Sequence, residues 1–101
     1  MKHTDIFDIM KDSAYIGQSV TVCGWVRTSR DSKNMAFVEL NDGTTLKHLQ
    51  IVIDRENLEY PQTALRLGTA LKVEGVVVEA RQGGVEINAE VIEVLGECPL
   101  D

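Results

Sequence analysis

The sequence is short of the residues that mark several specialised classes of protein. It has two cysteines in 101 residues, and Cys23 and Cys98 lie too far apart to resemble the paired ligands of a metal site. A lone disulfide is not expected without a secretory signal, so we expect free thiols and no bound metal. No apolar run is long enough for a signal peptide or a membrane span, which predicts a cytoplasmic protein with no membrane partner.

Basic residues are also few. Ten lysines and arginines stand against 16 aspartates and glutamates, and the net charge is −6. This charge argues against indiscriminate binding to duplex nucleic acid, which needs a basic field. A local site is still compatible with it, because Arg27, Arg30 and Lys33 cluster in one turn. A solvated charged surface would give the same cluster.

Signatures of catalysis are missing as well. The sequence contains no glycine-rich phosphate loop, and Gly83-Gly84 reads as a hairpin turn. His3 and His48 are too isolated to be chosen as catalytic groups. We therefore expect no catalytic residue, no cofactor and no enzymatic activity in this chain by itself.

The remaining composition is that of one ordinary globular domain, residues 1–101, with 44% hydrophobic and 26% charged residues. Alternation of apolar and polar residues predicts five strands, and a period near 3.6 predicts two short helices. The expected strands are 19–28, 35–41, 46–53, 70–80 and 85–95, and the expected helices are 4–11, with Thr4 or Asp5 as N-cap, and 61–67.

This order of elements is that of the OB-fold, an all-β, five-stranded Greek-key barrel. Here a short N-terminal helix precedes the barrel and a second short helix lies between strands three and four. The first strand of such a barrel must bend, and Gly24 is the residue we expect at that bend. Ligands of the fold bind on the face of strands two and three and on the flanking loops.

Strand two carries an aromatic residue where a half-buried strand should show a polar one. Parity places Ala36, Val38 and Leu40 inside and Phe37 outside beside Glu39. On strand three the outward set is His48, Gln50 and Val52. An outward aromatic, an amide and nearby arginines are typical of a surface that stacks a base and reads its edge. A stray exposed Phe37, or one that adds to the core, is the alternative.

Five segments resemble the N-terminal anticodon-binding domain of class IIb aminoacyl-tRNA synthetases, the group for asparagine, aspartate and lysine. They are VTVCGWVRTSRDSK, FVELNDGT, LQIVID, LKVEGVVVEA and VEINAEVIEVLG, and they cover nearly all of the chain from Gly17 to Gly96. The set is most similar to the bacterial asparaginyl enzymes, because aspartyl enzymes typically carry a longer DREG-like turn in place of NDGT. A domain of an aspartyl or lysyl enzyme is the alternative within the group.

The resemblance implies a role for four residues. Phe37 would stack on an anticodon base, Gln50 would read the central uridine, Arg30 would contact the bases or their backbone, and Glu86 would contact the first base. The alternatives are that Gln50 is a solvated strand residue and that Glu86 is a plain surface charge. Arg27 is either a phosphate contact or a salt-bridge partner.

The resemblance also implies that the chain is a domain excised from a larger parent protein, with a stand-alone homologue as the alternative. That enzyme would attach asparagine to its tRNA using ATP and Mg²⁺, and it would form a homodimer through a catalytic domain that this chain lacks. Two other functions stay open for the chain itself. A general single-strand binder should carry more basic residues and more exposed aromatic residues, whereas only Phe37 is clearly of that kind here. A protein-interaction domain would use the apolar N-terminal helix.

Overall fold

The computed structural model describes residues 4–11, 13–32, 34–44, 47–54, 66–81 and 83–97. Within these ranges one α-helix precedes five strands, as expected from the sequence. The elements are α1 (Ile6–Lys11), β1 (Ser19–Asp31), β2 (Met35–Asn41), β3 (Leu49–Asp54), β4 (Thr69–Glu79) and β5 (Val85–Glu97), with a 3₁₀ turn at Ser13–Tyr15. The expected helix at 61–67 falls largely on residues outside the described ranges.

The five strands form a closed barrel in the order β1-β2-β3-β5-β4, which confirms the OB-fold. β1 is long enough to pair with two strands, since its first part pairs with β4 and its second part with β2. The barrel closes where β3 pairs with β5 in parallel, with Gln50 opposite Glu86 and Val52 opposite Asn88. All other pairings are antiparallel.

The core follows the predicted alternation on the strands. Val38, Leu40, Ile51 and Ile53 are fully buried, and the inward residues of β1, β4 and β5 meet them in one hydrophobic cluster. β1 extends three residues beyond the predicted end at 28, because Ser29, Arg30 and Asp31 continue the ladder with β2. Arg30 therefore lies on a strand that faces Phe37 and not in the turn that follows.

Two glycines allow neighbouring backbones to approach closely. A Cβ on Gly24 would lie 2.9 Å from the carbonyl oxygen of Asn41, and one on Gly75 would lie 2.3 Å from that of Asn88. Only glycine fits such gaps without a shift of the backbone. The register shift in β1 occurs between Val26 and Thr28, which places a bulge at Arg27, three residues after Gly24.

The helix α1 adds two side chains, Ile6 and Ile9, to the barrel core, and both are fully buried. Its first two backbone amides donate hydrogen bonds to side chains of the β2–β3 loop. The amide of Ile6 donates to Asp42 Oδ2 at 2.9 Å, and that of Phe7 donates to Thr44 Oγ1 at 3.0 Å. Asp5, one of the two expected N-caps, directly precedes the helix, and its carbonyl oxygen accepts from the amides of Asp8 and Ile9. Asp42 adds a capping carboxylate from outside the helix.

The thiol of Cys23 is free, as expected, and Cys98 lies outside the described residues. Burial raises the pKa of the Cys23 thiol, and the nearby Lys72 ammonium only partly offsets this effect. At neutral pH the group is therefore a protonated, weakly reactive thiol.

Candidate nucleic-acid interface

Two rows of outward side chains cross four strands of the barrel. Because β1, β2, β3 and β5 are neighbours in the sheet, residues of the same parity that lie opposite one another form a row. We call them the polar row and the aromatic row. The polar row is Thr28, Glu39, Gln50 and Glu86, and the aromatic row is Arg30, Phe37, Val52 and Asn88.

The aromatic row holds the predicted stacking residue. Phe37 is half-buried, and it neither belongs to the core cluster nor packs against it. The guanidinium of Arg30 lies over its ring, with Cζ 4.9 Å from the centroid, which is a cation–π contact. Val52, predicted to face outward, is only 8% exposed although it stands outside the core cluster. The aromatic row therefore includes a buried aliphatic residue directly opposite Phe37 in the ladder.

The polar row holds the predicted base-reading residues. Thr28 Oγ1 donates to Glu39 Oε1 at 2.5 Å, and Gln50 Nε2 donates to Glu86 Oε1 at 3.1 Å. A carboxylate only accepts, so the amide nitrogen of Gln50 must be the atom that faces Glu86. This leaves the carbonyl oxygen and the second N–H of Gln50 for a ligand.

The whole polar row, together with Arg30 and Phe37 of the aromatic row, lines a cleft of about 840 Å³. The β4–β5 hairpin forms one wall with Glu79, Arg81 and the two glycines of its turn, and His48 also lines the cleft. Arg81 was not among the site residues predicted from the sequence. Its position beside a Gly-Gly turn that joins two strands was the available signal, since loops of this fold bind ligands.

The structure brings together four of the five predicted site residues: Arg30, Phe37, Gln50 and Glu86 all line the cleft. Arg27 is exposed at the bulge of β1 and is not among the cleft residues. Its position allows contact with a ligand only outside the cleft.

The charge of the cleft is mixed. Glu39, Glu79 and Glu86 supply three carboxylates, while Arg30 and Arg81 supply two guanidinium groups. A surface of this kind attracts phosphate only at particular points and offers acceptors to base edges elsewhere. No group of His, Cys, Asp and Glu residues suited to a metal ion occurs in the described part of the chain. Among the same residues, no helix has the length and apolar character needed to cross a bilayer.

A family model described as an OB-fold nucleic acid binding domain, the tRNA anti-codon family, matches residues 20–95. Among curated proteins, an asparagine–tRNA ligase of Bacteroides fragilis is 41% identical over 101 residues, which covers 97% of this chain and 21% of the relative. One from Bacillus cereus is 43% identical, with 95% and 22% covered. The chain thus spans about a fifth of the length of the curated relatives it matches.

Solved structures show the same fold. The asparaginyl-tRNA synthetase of Pyrococcus horikoshii matches with a TM-score of 0.78 and 24% identity, over 95% of this chain and 23% of that one. A protein called OBody AM2EP06, bound to hen egg-white lysozyme, matches with a TM-score of 0.79 and 22% identity, over 97% of both chains. At these identities the likeness extends to the barrel and its helix alone.

Proposed function

The chain belongs to the tRNA anti-codon family of OB-fold nucleic acid binding domains, and we propose that it binds the anticodon loop of tRNA for an asparagine–tRNA ligase. The single observation that supports this most is that members of both rows line one cleft. A residue suited to stacking, Phe37, lies one row away from a residue suited to reading a base edge, Gln50.

The two rows contact RNA in different ways, one by stacking and the other by hydrogen bonds to base edges. Stacking of a base on Phe37 is worth about 1–3 kcal/mol and tolerates any base. Gln50 discriminates, because its free carbonyl oxygen accepts from the ring N3–H of uracil and its free N–H donates to a uracil carbonyl. Glu86 has a second carboxylate oxygen, which accepts from the N–H groups of a guanine in the first anticodon position. Arg30 holds the ring and contacts the backbone.

The carboxylates of the cleft favour a selective site over a general single-strand binder. A general binder follows the phosphates with a positive groove and stacks successive bases. Here three glutamates line the cleft, and the residues described there include one phenylalanine. We therefore do not expect this domain to bind tRNA tightly by itself, and the rest of the parent enzyme shares the tRNA contact.

The other properties of the parent enzyme lie in the remaining four fifths of its length. We place ATP and Mg²⁺ binding, asparagine activation and the homodimer contact there, and we place the parent in the cytoplasm. In this division the present chain has no catalytic residue and no cofactor. It supplies recognition of the anticodon, which selects the tRNA that the catalytic part then charges.

Titration of the 101-residue chain with two RNA hairpins tests the proposal. One carries the guanosine–uridine–uridine anticodon of asparagine tRNA in its natural loop, and the other carries the same loop nucleotides in scrambled order. We expect tighter binding to the natural loop, by an amount that persists at raised salt, because base-edge contacts are less salt-dependent than phosphate contacts. Equal affinities would refute anticodon recognition.

A further inference from the structure

We propose that Glu86 is a positioning residue, which orients the amide of Gln50 and thereby makes the cleft prefer uridine over cytidine at the central anticodon position. This rests on the proposed function, because it assigns a second task to a residue of the same cleft. It adds to any direct contact between Glu86 and the first base. The two residues would then act as one unit in recognition.

The pairing of β3 with β5 creates the contact. Gln50 and Glu86 are 36 residues apart in sequence and lie opposite each other in the parallel ladder that closes the barrel. Their side chains are half-buried, and the bond from Gln50 Nε2 to Glu86 Oε1 measures 3.1 Å. A partly buried bond to a charged acceptor is stronger than an exposed neutral one, because water competes less for its atoms.

The polarity of this bond is what matters for recognition. A free glutamine amide can rotate by half a turn and exchange its donor and acceptor, so it can serve uracil and cytosine alike. Beside Glu86 the same rotation would bring the Gln50 carbonyl oxygen against a carboxylate oxygen. Two acceptors would then face each other and the bond would be lost, so the rotation is unfavourable.

The fixed amide matches only one of the two pyrimidines. One N–H of Gln50 is used by Glu86, and the edge that remains offers an acceptor next to a donor. Uracil presents a donor at N3 and an acceptor at O4, which is the complementary pair. Cytosine presents an acceptor at N3 and an amine at position 4, which is the reverse pair. Cytosine would need the rotated amide, and Glu86 opposes that rotation.

The test uses two anticodon hairpins that differ only in the central base, uridine or cytidine. Wild type should prefer the uridine hairpin by roughly 5- to 150-fold, the range of a good base-edge contact. In Glu86→Gln the neighbouring amide can either donate or accept, so Gln50 can rotate and the preference should fall towards equality. The Glu90→Gln control removes the same charge from an exposed residue of β5 outside the cleft, and its preference should match wild type.

A second pair of hairpins, with guanosine or adenosine at the first anticodon position, separates direct contact from positioning. If Glu86→Gln changes only the first-base preference and leaves the uridine-to-cytidine ratio intact, the positioning role is wrong while the proposed function stands. If wild type itself shows no central preference, the positioning role is wrong as well. Equal binding of natural and scrambled loops by wild type would instead remove the proposed function.

The double variant Gln50→Glu/Glu86→Gln separates a loss of base preference from a loss of stability. It restores a carboxylate–amide bond across the same ladder with the donor and acceptor exchanged, so its melting temperature should be close to that of wild type. Position 50 would then offer acceptors only, and the uridine preference should be absent. A double variant that melts like wild type and still prefers uridine as wild type does would overturn the proposal.

Discussion

The guanidinium of Arg30 lies over the ring of Phe37, with Cζ 4.9 Å from the ring centroid, across the ladder between β1 and β2. Bases stack on aromatic rings and on guanidinium planes alike, so the two side chains present one stacking unit. The buried Val52 lies opposite Phe37 on β3, so the ring stands between a cation on one neighbouring strand and an aliphatic residue on the other.

Replacing Phe37 by alanine should weaken binding of the anticodon hairpin by about 1–3 kcal/mol, because one stacked base is lost. The uridine and cytidine hairpins should be affected equally, since stacking does not read the base edge. Because Phe37 lies outside the core cluster, the melting temperature should change little. Titration calorimetry and thermal denaturation of the same sample measure both quantities.

Phe7→Ala is the matched control for that experiment. Phe7 is a phenylalanine on α1 that is 44% exposed and does not line the cleft, so its removal should leave RNA binding unchanged. If Phe37→Ala instead lowers thermal stability as a core truncation does, or if Phe7→Ala weakens binding equally, Phe37 is not a specific stacking residue.

The two arginines of β1 should behave differently. Arg30→Gln removes a charge and the contact with Phe37, so binding should weaken even at high salt. Arg27→Gln removes a charge at the exposed bulge, so it should at most lower the slope of log K against log salt by about 1, uniformly for all loops. Titrations at several salt concentrations separate the two effects. The same salt-dependent loss in both variants would mean that Arg30 only contacts phosphate.

Much of the fold and part of the site follow from local pattern. Strand parity placed Phe37 and Gln50 on the outer face, because alternation depends only on neighbouring residues. The same rule placed Val52 outward, yet it is buried, since its exposure depends on what Phe37 and the neighbouring strand cover. Parity therefore predicts direction and not burial.

Contacts between distant segments were not predictable in the same way. The bond between Gln50 and Glu86 requires the parallel closure of β3 on β5, which no local pattern encodes. The bond from the Ile6 amide to Asp42 is also long-range, and local reasoning identified only the N-cap residue that directly precedes α1. The bulge at Arg27 depends on how β1 divides itself between two partner strands.

Removal of the Asp42 carboxylate should destabilise the domain by about 1 kcal/mol at neutral pH, the usual cost of a lost helix cap. Burial of the Asp42 carboxyl acts to raise its pKa, but hydrogen bonds from the amide of Ile6 and from Thr44 outweigh it, and the net pKa is lowered. Chemical denaturation of wild type and Asp42→Ala measures the difference in the free energy of unfolding.

The same comparison has a definite pH dependence. Since the folded pKa of Asp42 lies below its ordinary value of 3.8, the carboxylate stabilises the fold above that value, and this part is lost as the pH falls through the folded pKa. The difference between wild type and Asp42→Ala should therefore shrink below about pH 4. Asp42→Asn keeps an acceptor oxygen for Ile6, so it should lose less at neutral pH. A difference that stays constant down to pH 2 would show that the capping charge is not responsible.

Gln50→Glu should abolish the preference for uridine. The substitution brings two carboxylates together where Gln50 Nε2 and Glu86 Oε1 are 3.1 Å apart. At neutral pH both groups only accept, and neither matches the O4 of uracil. Repulsion between the two carboxylates adds a loss of affinity that is the same for both hairpins. Titrations of both hairpins at neutral pH test this, with wild type expected to keep its preference for uridine. An equal loss of affinity for uridine and cytidine would mean that position 50 does not read the base.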